Sequence, residues 1–194
     1  VAEAVEKHGK IDASVTFVPG PFLKDAVLEA LDSDIKFMVM PSERVPLHDI
    51  LEMVAAAKQK GARLLGPGSI GIITPDKAAA GWLGGTAERA RIVFKPGDIG
   101  VISRSGGQSS TVPWTLKEAG FGISTALHVG TEPVVGMSFA DILPLFEEDG
   151  ETTAVAAFGE IGGMHEEEAA EVIKQRKFTK PFVIYVAGAW APEG

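Results

Sequence analysis

Short apolar runs of strand type alternate with helix-compatible stretches along almost the whole chain, and each run is cut off by glycine, proline or a hydroxyl residue. Residues 14–18, 36–40 and 63–65 read as strands, with helices over 21–31 and 46–60 between them. Such short intervals imply parallel strands joined by right-handed helical crossovers. A second series follows, with strands over 99–103, 123–129, 154–158 and 182–187 and helices over 108–119, 138–148 and 166–177. The expected fold is α/β: the second half of a Rossmann-like domain, then a flavodoxin-like parallel sheet whose strands are dense in Val, Ile, Phe and Ala.

Between Ile70 and Pro96 the pattern loosens: residues 71–74 read as a short strand, and small, Gly-rich sequence follows around Trp82, for which a core anchor is the commoner reading and an exposed contact the other. The expected division is a first domain over 1–75, a linker over 76–96 and a second domain over 97–194. Residues 1–9 resemble the last turns of a helix closing at Gly9, with neither methionine nor N-cap before them. The last residues leave a strand and stop in a loop, so the chain reads as a piece of a longer protein.

Composition narrows the function classes. A net charge of -8 disfavours a nucleic-acid partner, whose phosphates select basic surfaces. No apolar run approaches the roughly 18–20 residues that span a bilayer, and no signal peptide opens the chain. With no cysteine there is no disulfide framework and no thiolate chemistry. The cytoplasm is the expected compartment, with a mitochondrial matrix also compatible.

In open parallel sheets a ligand lies beyond the carboxyl ends of the strands. In the second series the first of those ends is Ser103-Arg104-Ser105-Gly106-Gly107, directly before a helix. A strand, a turn of small residues and a helix start aim backbone N–H groups and a helix dipole at one point, so the turn reads as an anion site. It matches neither G-x-G-x-x-G nor the P-loop pattern. Glu160 follows a buried strand within Gly159-Glu160-Ile161-Gly162-Gly163, where a carboxylate needs a partner or a shifted pKa. Of the four histidines only His128 falls near a strand end; His165 reads as a helix-cap neighbour, and no spacing suggests a metal site. In the first series Pro19 and Pro21 follow one strand, and Met40, Pro41, Ser42 and Glu43 another. Ser42 and Glu43 also suit an N-cap and a first helical turn.

These residues together resemble the α subunit of succinyl-CoA synthetase and its relatives, including ATP-citrate lyase. The likeness rests on Ser103-Arg104-Ser105-Gly106, on Gly159-Glu160-Ile161-Gly162-Gly163 with Glu166-Glu167-Glu168-Ala169-Ala170, and on Phe139-Ala140-Asp141-Ile142-Leu143. It extends to Ala187-Gly188-x-x-Ala191-Pro192-x-Gly194, Val18-Pro19-x-Pro21-Phe22-x-Lys24-Asp25 and Gly66-Pro67, in order over nearly the whole chain. The resemblance implies a CoA-binding domain followed by a ligase domain, partnered in a hetero-oligomer with a nucleotide-grasping β subunit or fused domain. It implies a reaction, familiar from the tricarboxylic acid cycle, that joins a small carboxylic acid to CoA through an acyl phosphate and a phosphorylated histidine. ATP or GTP with Mg would sit on the partner.

The resemblance further implies that Ser103, Ser105, Gly106 and Gly107 hold phosphate, that Glu160 orients the histidine, and that Pro19, Met40, Pro41, Ser42 and Glu43 touch CoA. Ser110 stands where relatives place a tyrosine that reaches the acid. Gly66-Pro67-Gly68-Ser69 and Gly130-Thr131-Glu132-Pro133 replace the usual Gly-Pro-Asn-Cys and Gly-Gly-Asp-Pro, which leaves the acid open. The phosphorylated histidine of the family follows the motif that ends here at Gly194, so none of these four histidines takes its place. Two other readings are a non-catalytic CoA or acyl-CoA sensor or scaffold of the same fold, and an unrelated dinucleotide oxidoreductase, which would need a glycine fingerprint not found in these residues.

Overall fold

A computed structural model describes residues 1–191, so Pro192 and Gly194 of the last motif lie outside the described residues. Helix α1 (Ala2–His8) ends at Gly9, whose φ of 79° is open to glycine, and buries none of its residues. Strands β1 (Ala13–Val15), β2 (Phe37–Val39) and β3 (Arg63–Leu65) form a parallel sheet in that order. A 3-10 turn (Gly20–Phe22) leads into α2 (Leu23–Asp32), and α3 (Leu47–Gln59) completes the second crossover.

The two faces of this sheet serve different cores. Met38 and Leu64 pack with Leu23, Val27, Ile50 and Met53 of the flanking helices. Their neighbours Val39 and Leu65 point the other way, as strand alternation requires, and join the core of the second unit. Each such fully buried side chain contributes about 1.5–3 kcal/mol.

The second sheet has six strands in the order β5-β4-β7-β6-β8-β9. Its parallel part consists of β6 (Pro96–Ser103), β7 (Ile123–His128), β8 (Ala154–Glu160) and β9 (Phe182–Ala187), crossed by α5 (Gln108–Glu118), α6 (Phe139–Glu148) and α7 (His165–Lys174). Counted from β6 the parallel strands run 2-1-3-4, the flavodoxin-like winding. Phe139, Ile142, Leu143 and Phe146 of α6 supply its largest buried face.

The strand expected over 71–74 forms as β4 (Gly71–Thr74), but in the second sheet, where it pairs antiparallel with β7 and, as a hairpin, with β5 (Ala78–Gly81), which falls in the stretch 76–96 expected to be a linker. Helix α4 (Ala87–Val93) follows, with Thr86 accepting from the Arg89 N–H as its N-cap. The hairpin is therefore an edge of the second sheet. Trp82, expected in the core, is 59% exposed. It follows the edge strand β5 and lies on the surface beside Phe17 and Pro41 rather than inside a core.

Candidate functional site

Ser103 ends the central strand β6, opposite His128 of β7 and Phe158 of β8. It is fully buried, and its hydroxyl donates to the Ser105 carbonyl at 2.8 Å while accepting the Ser105 N–H at 3.0 Å. The Ser105 carbonyl also receives the Ser109 N–H and hydroxyl. These bonds fold the chain into the turn that starts α5. They also correct the first expectation: Ser103 cannot touch an anion, and the Ser105 N–H already has an acceptor. Unpaired among the described residues are the N–H groups of Gly106 and Gly107, beside the Ser105 hydroxyl, which sits 3.5 Å from the Gln108 N–H. Ser110 lies one turn into the helix, half-buried, with no side-chain hydrogen bond among the described residues.

His128 braces the turn from behind. Its Nδ1 accepts the Ile70 N–H at 3.1 Å, which leaves Nε2–H to donate to the Arg104 carbonyl at 3.0 Å. Burial pushes its pKa below the ordinary value, against the opposing pull of its bond to Arg104, so the ring is neutral and structural.

The next strand end carries Glu160. Arg104 reaches across to it, its Nη1 donating to the Glu160 carbonyl at 2.6 Å and to both carboxylate oxygens of Glu166 at 3.3 Å. Glu166 Oε1 accepts the Glu160 N–H at 3.0 Å. The Glu160 carboxylate itself has no hydrogen-bond partner among the described residues. The anion turn and the candidate carboxylate thus occupy adjacent strand ends on one rim, linked through Arg104.

Arg104 also walls a cavity of about 640 Å³, with Thr131, Glu132, Ser138, Gly163, His165 and Glu168 among its other sides. Gly106, Gly107 and Glu160 flank this wall rather than line the cavity. Ser138 opens α6, where the Asp141 carboxylate accepts its N–H and hydroxyl. His165, read only as a cap neighbour, borders the cavity with its ring edge-on to Phe139, and its buried Nδ1 lacks a partner. Burial, then the Arg104 charge, lowers its pKa, opposed by Glu166, Glu168 and Asp141. Arg104, Glu166 and His165 are the site residues that sequence patterning missed. Their signal, a guanidinium and a carboxylate meeting from segments 62 residues apart, is spatial and has no period.

At the first sheet, Pro19, Pro41 and Ser42 line a groove of about 440 Å³ with Phe17, Val18 and Trp82. Phe17 is 65% exposed, so the groove offers two large bare rings. Ser42 donates its hydroxyl to the Val18 and Thr16 carbonyls and holds the two strand ends together. Met40 departs from expectation: it is fully buried in the first core and offers no atom to a ligand. Glu43 is exposed outside the groove lining, its carbonyl packed where a Cβ on Gly20 would intrude. Among the described residues no cluster could hold a metal ion, and no helix is long and apolar enough to cross a membrane.

Comparison with known proteins bears on this arrangement. Residues 96–193 match the succinyl-CoA ligase like flavodoxin domain, and residues 1–43 the CoA binding domain. The chain is 45% identical to the ADP-forming succinate-CoA ligase subunit alpha 2 of Archaeoglobus fulgidus, over all of this chain and 64% of that one. It is 44% identical to an ADP-forming sulfoacetate-CoA ligase subunit of Acholeplasma sp, over 97% of this chain and 62% of the relative. The chain thus spans somewhat under two thirds of the length of these relatives. The structure of ATP citrate lyase from Methanothrix soehngenii in complex with citrate and coenzyme A superposes with a TM-score of 0.93 at 26% identity, covering 99% of this chain and 32% of that one. These two relatives are ligase subunits named for different acids, succinate and sulfoacetate.

Proposed function

Because the chain belongs to the succinyl-CoA ligase like flavodoxin family, we propose that it is the larger part of an α-type subunit of an NDP-forming acid-CoA ligase. The reaction condenses a small carboxylic acid with CoA at the expense of ATP or GTP, through an acyl phosphate and a phosphohistidine. The nucleotide and its Mg belong to a partner β subunit or fused domain, which supplies the phosphoryl group. By the family resemblance the phosphorylated histidine is none of the four in this sequence; His128, the one nearest the turn, is locked in its tautomer behind it.

The supporting observation is the Arg104 link, which joins the turn of Gly106 and Gly107, whose N–H groups are unpaired among the described residues, to the next strand end, where the Glu160 carboxylate is likewise unengaged among them. Backbone donors at a helix start stabilise transferable phosphate without a cation that would trap it. A carboxylate on the far ring nitrogen of a histidine fixes its tautomer and stabilises the charged ring. CoA fits the groove at Pro19, Pro41 and Ser42, where Phe17 and Trp82 offer flat apolar faces to a flat base. Met40 and Ser103 serve by holding these segments in place.

The test is to co-express the parent protein with its nucleotide-binding partner and to follow acid-labile phosphorylation from ATP or GTP. NDP release should then require both CoA and an acid; succinate, malate and sulfoacetate are the first to try. Glu160→Gln should slow phosphorylation by about 100-fold while CoA binding persists. An assembly that neither takes up phosphate nor forms a thioester with any of these acids contradicts the proposal.

A further inference from the structure

Glu160 is gripped at both of its peptide groups. Its N–H donates to Glu166 Oε1 at 3.0 Å, and its carbonyl accepts from Arg104 Nη1 at 2.6 Å. The first contact restrains φ and the second ψ, so the Cα–Cβ direction of Glu160 is set by two side chains, and its carboxylate is unengaged among the described residues. The two gripping groups also hold each other at 3.3 Å, and both side chains are 16% exposed, where such charge-assisted bonds are screened little.

The surroundings are shaped for this contact. A Cβ on Gly159 would lie 2.4 Å from Glu166 Oε1, so only glycine there admits the carboxylate. A Cβ on Gly163 would stand 3.4 Å from Arg104 Nη2, so a bare backbone also faces the guanidinium. The Arg104 backbone is fixed in turn, its N–H donating to the Phe158 carbonyl at 2.9 Å and its own carbonyl held by His128. Glu166, in the first turn of α7, turns back six residues to serve the strand end.

We infer that Arg104 and Glu166 are positioning residues that clamp the backbone on both sides of Glu160 and so aim its carboxylate at the reacting group. This inference rests on the ligase reading proposed above. Held this way, the Cα–Cβ bond of Glu160 has a fixed origin and direction, while the carboxylate keeps its own side-chain torsions and stays free to accept a bond from an incoming ring N–H. Positioning of this kind is sensitive, because a displacement of about 1 Å can cost on the order of 100-fold in rate.

The experiment uses the parent protein assembled with its nucleotide-binding partner, as wild type, Glu166→Ala, Arg104→Ala and Glu166→Gln. Two readouts are taken: histidine phosphorylation with the full steady-state parameters, and amide exchange at Glu160. Both alanine variants are expected to exchange the Glu160 N–H about tenfold faster or more while the middle of β8 stays protected. They are expected to lose about 10–100-fold in phosphorylation rate and kcat, with KM for CoA unchanged because the groove at Pro19 and Ser42 lies on the other sheet. Glu166→Gln keeps an acceptor oxygen for the Glu160 N–H and should recover much of the loss.

Unchanged exchange at Glu160 in both alanine variants overturns the clamp, whatever the activity. A phosphorylated wild type matched in rate by both alanine variants overturns the positioning role and leaves the ligase reading standing. A wild-type assembly that never carries phosphohistidine removes the ligase reading and this role with it, even where exchange responds.

Discussion

His128 joins two segments only while its ring is neutral, since Nδ1 must accept the Ile70 N–H as Nε2 donates to Arg104. Its folded pKa lies below the ordinary value of 6.5, whereas the unfolded chain binds the proton near that value. The stability it contributes is complete above about pH 6.5 and is lost as pH falls below it. His165 acts in the same direction. Chemical denaturation between pH 8 and 5 should show a fall in stability that is smaller in His128→Gln, although that variant is less stable throughout. At Gly159 the neighbour is the end of a flexible side chain, so Gly159→Ala should fold and yet displace Glu166. A cost of about 1–2 kcal/mol, with fast exchange at Glu160, is the expected result.

At the scale of elements, the alternation of strands and helices was legible because parallel strands bury both faces and so must be apolar throughout. Helices α5 and α6 persist through Pro113 and Pro144, as the surrounding pattern indicated. Strand β4 was legible as Gly71-Ile72-Ile73-Thr74, but its partner β5 was not, because Ala78-Ala79-Ala80-Gly81 lacks the β-branched residues that mark a strand. Close strand pairing at the far end of β6 gives a test. A Cβ on Gly122 would lie 2.1 Å from the Pro96 carbonyl oxygen and 2.8 Å from the Gly97 Cα, backbone that cannot swing aside. Gly122→Ala should lower stability by about 1–3 kcal/mol, read as a lower denaturant midpoint.

For the molecule as a whole, the glycine turn and Glu160 could be found from sequence because each is local to a strand end. Their shared rim could be read as well, since loops after parallel strands open on one sheet edge; the link between them could not, because Arg104, Glu166 and His128 join distant segments. The same holds for Glu132, which lines the cavity and whose Oε1 accepts the Arg44 and Val45 N–H groups of the loop following β2. Glu132→Ala should leave the part-buried Val45 N–H without this acceptor while the exposed Arg44 N–H turns to water, costing about 1 kcal/mol and speeding amide exchange at 44–45. Around that contact the Gly68 N–H donates to the Ser42 carbonyl at 2.8 Å and the Gly136 N–H to the Gly66 carbonyl at 2.8 Å.

Val39 and Leu65 belong to the first sheet by their backbone and to the second core by their side chains. No hinge can pass between the sheets without wetting that apolar seam. That seam therefore resists any change in the separation between the groove at Pro19 and the rim at Glu160. In the proposed reaction, a ligand that engages both would have to bridge that distance itself.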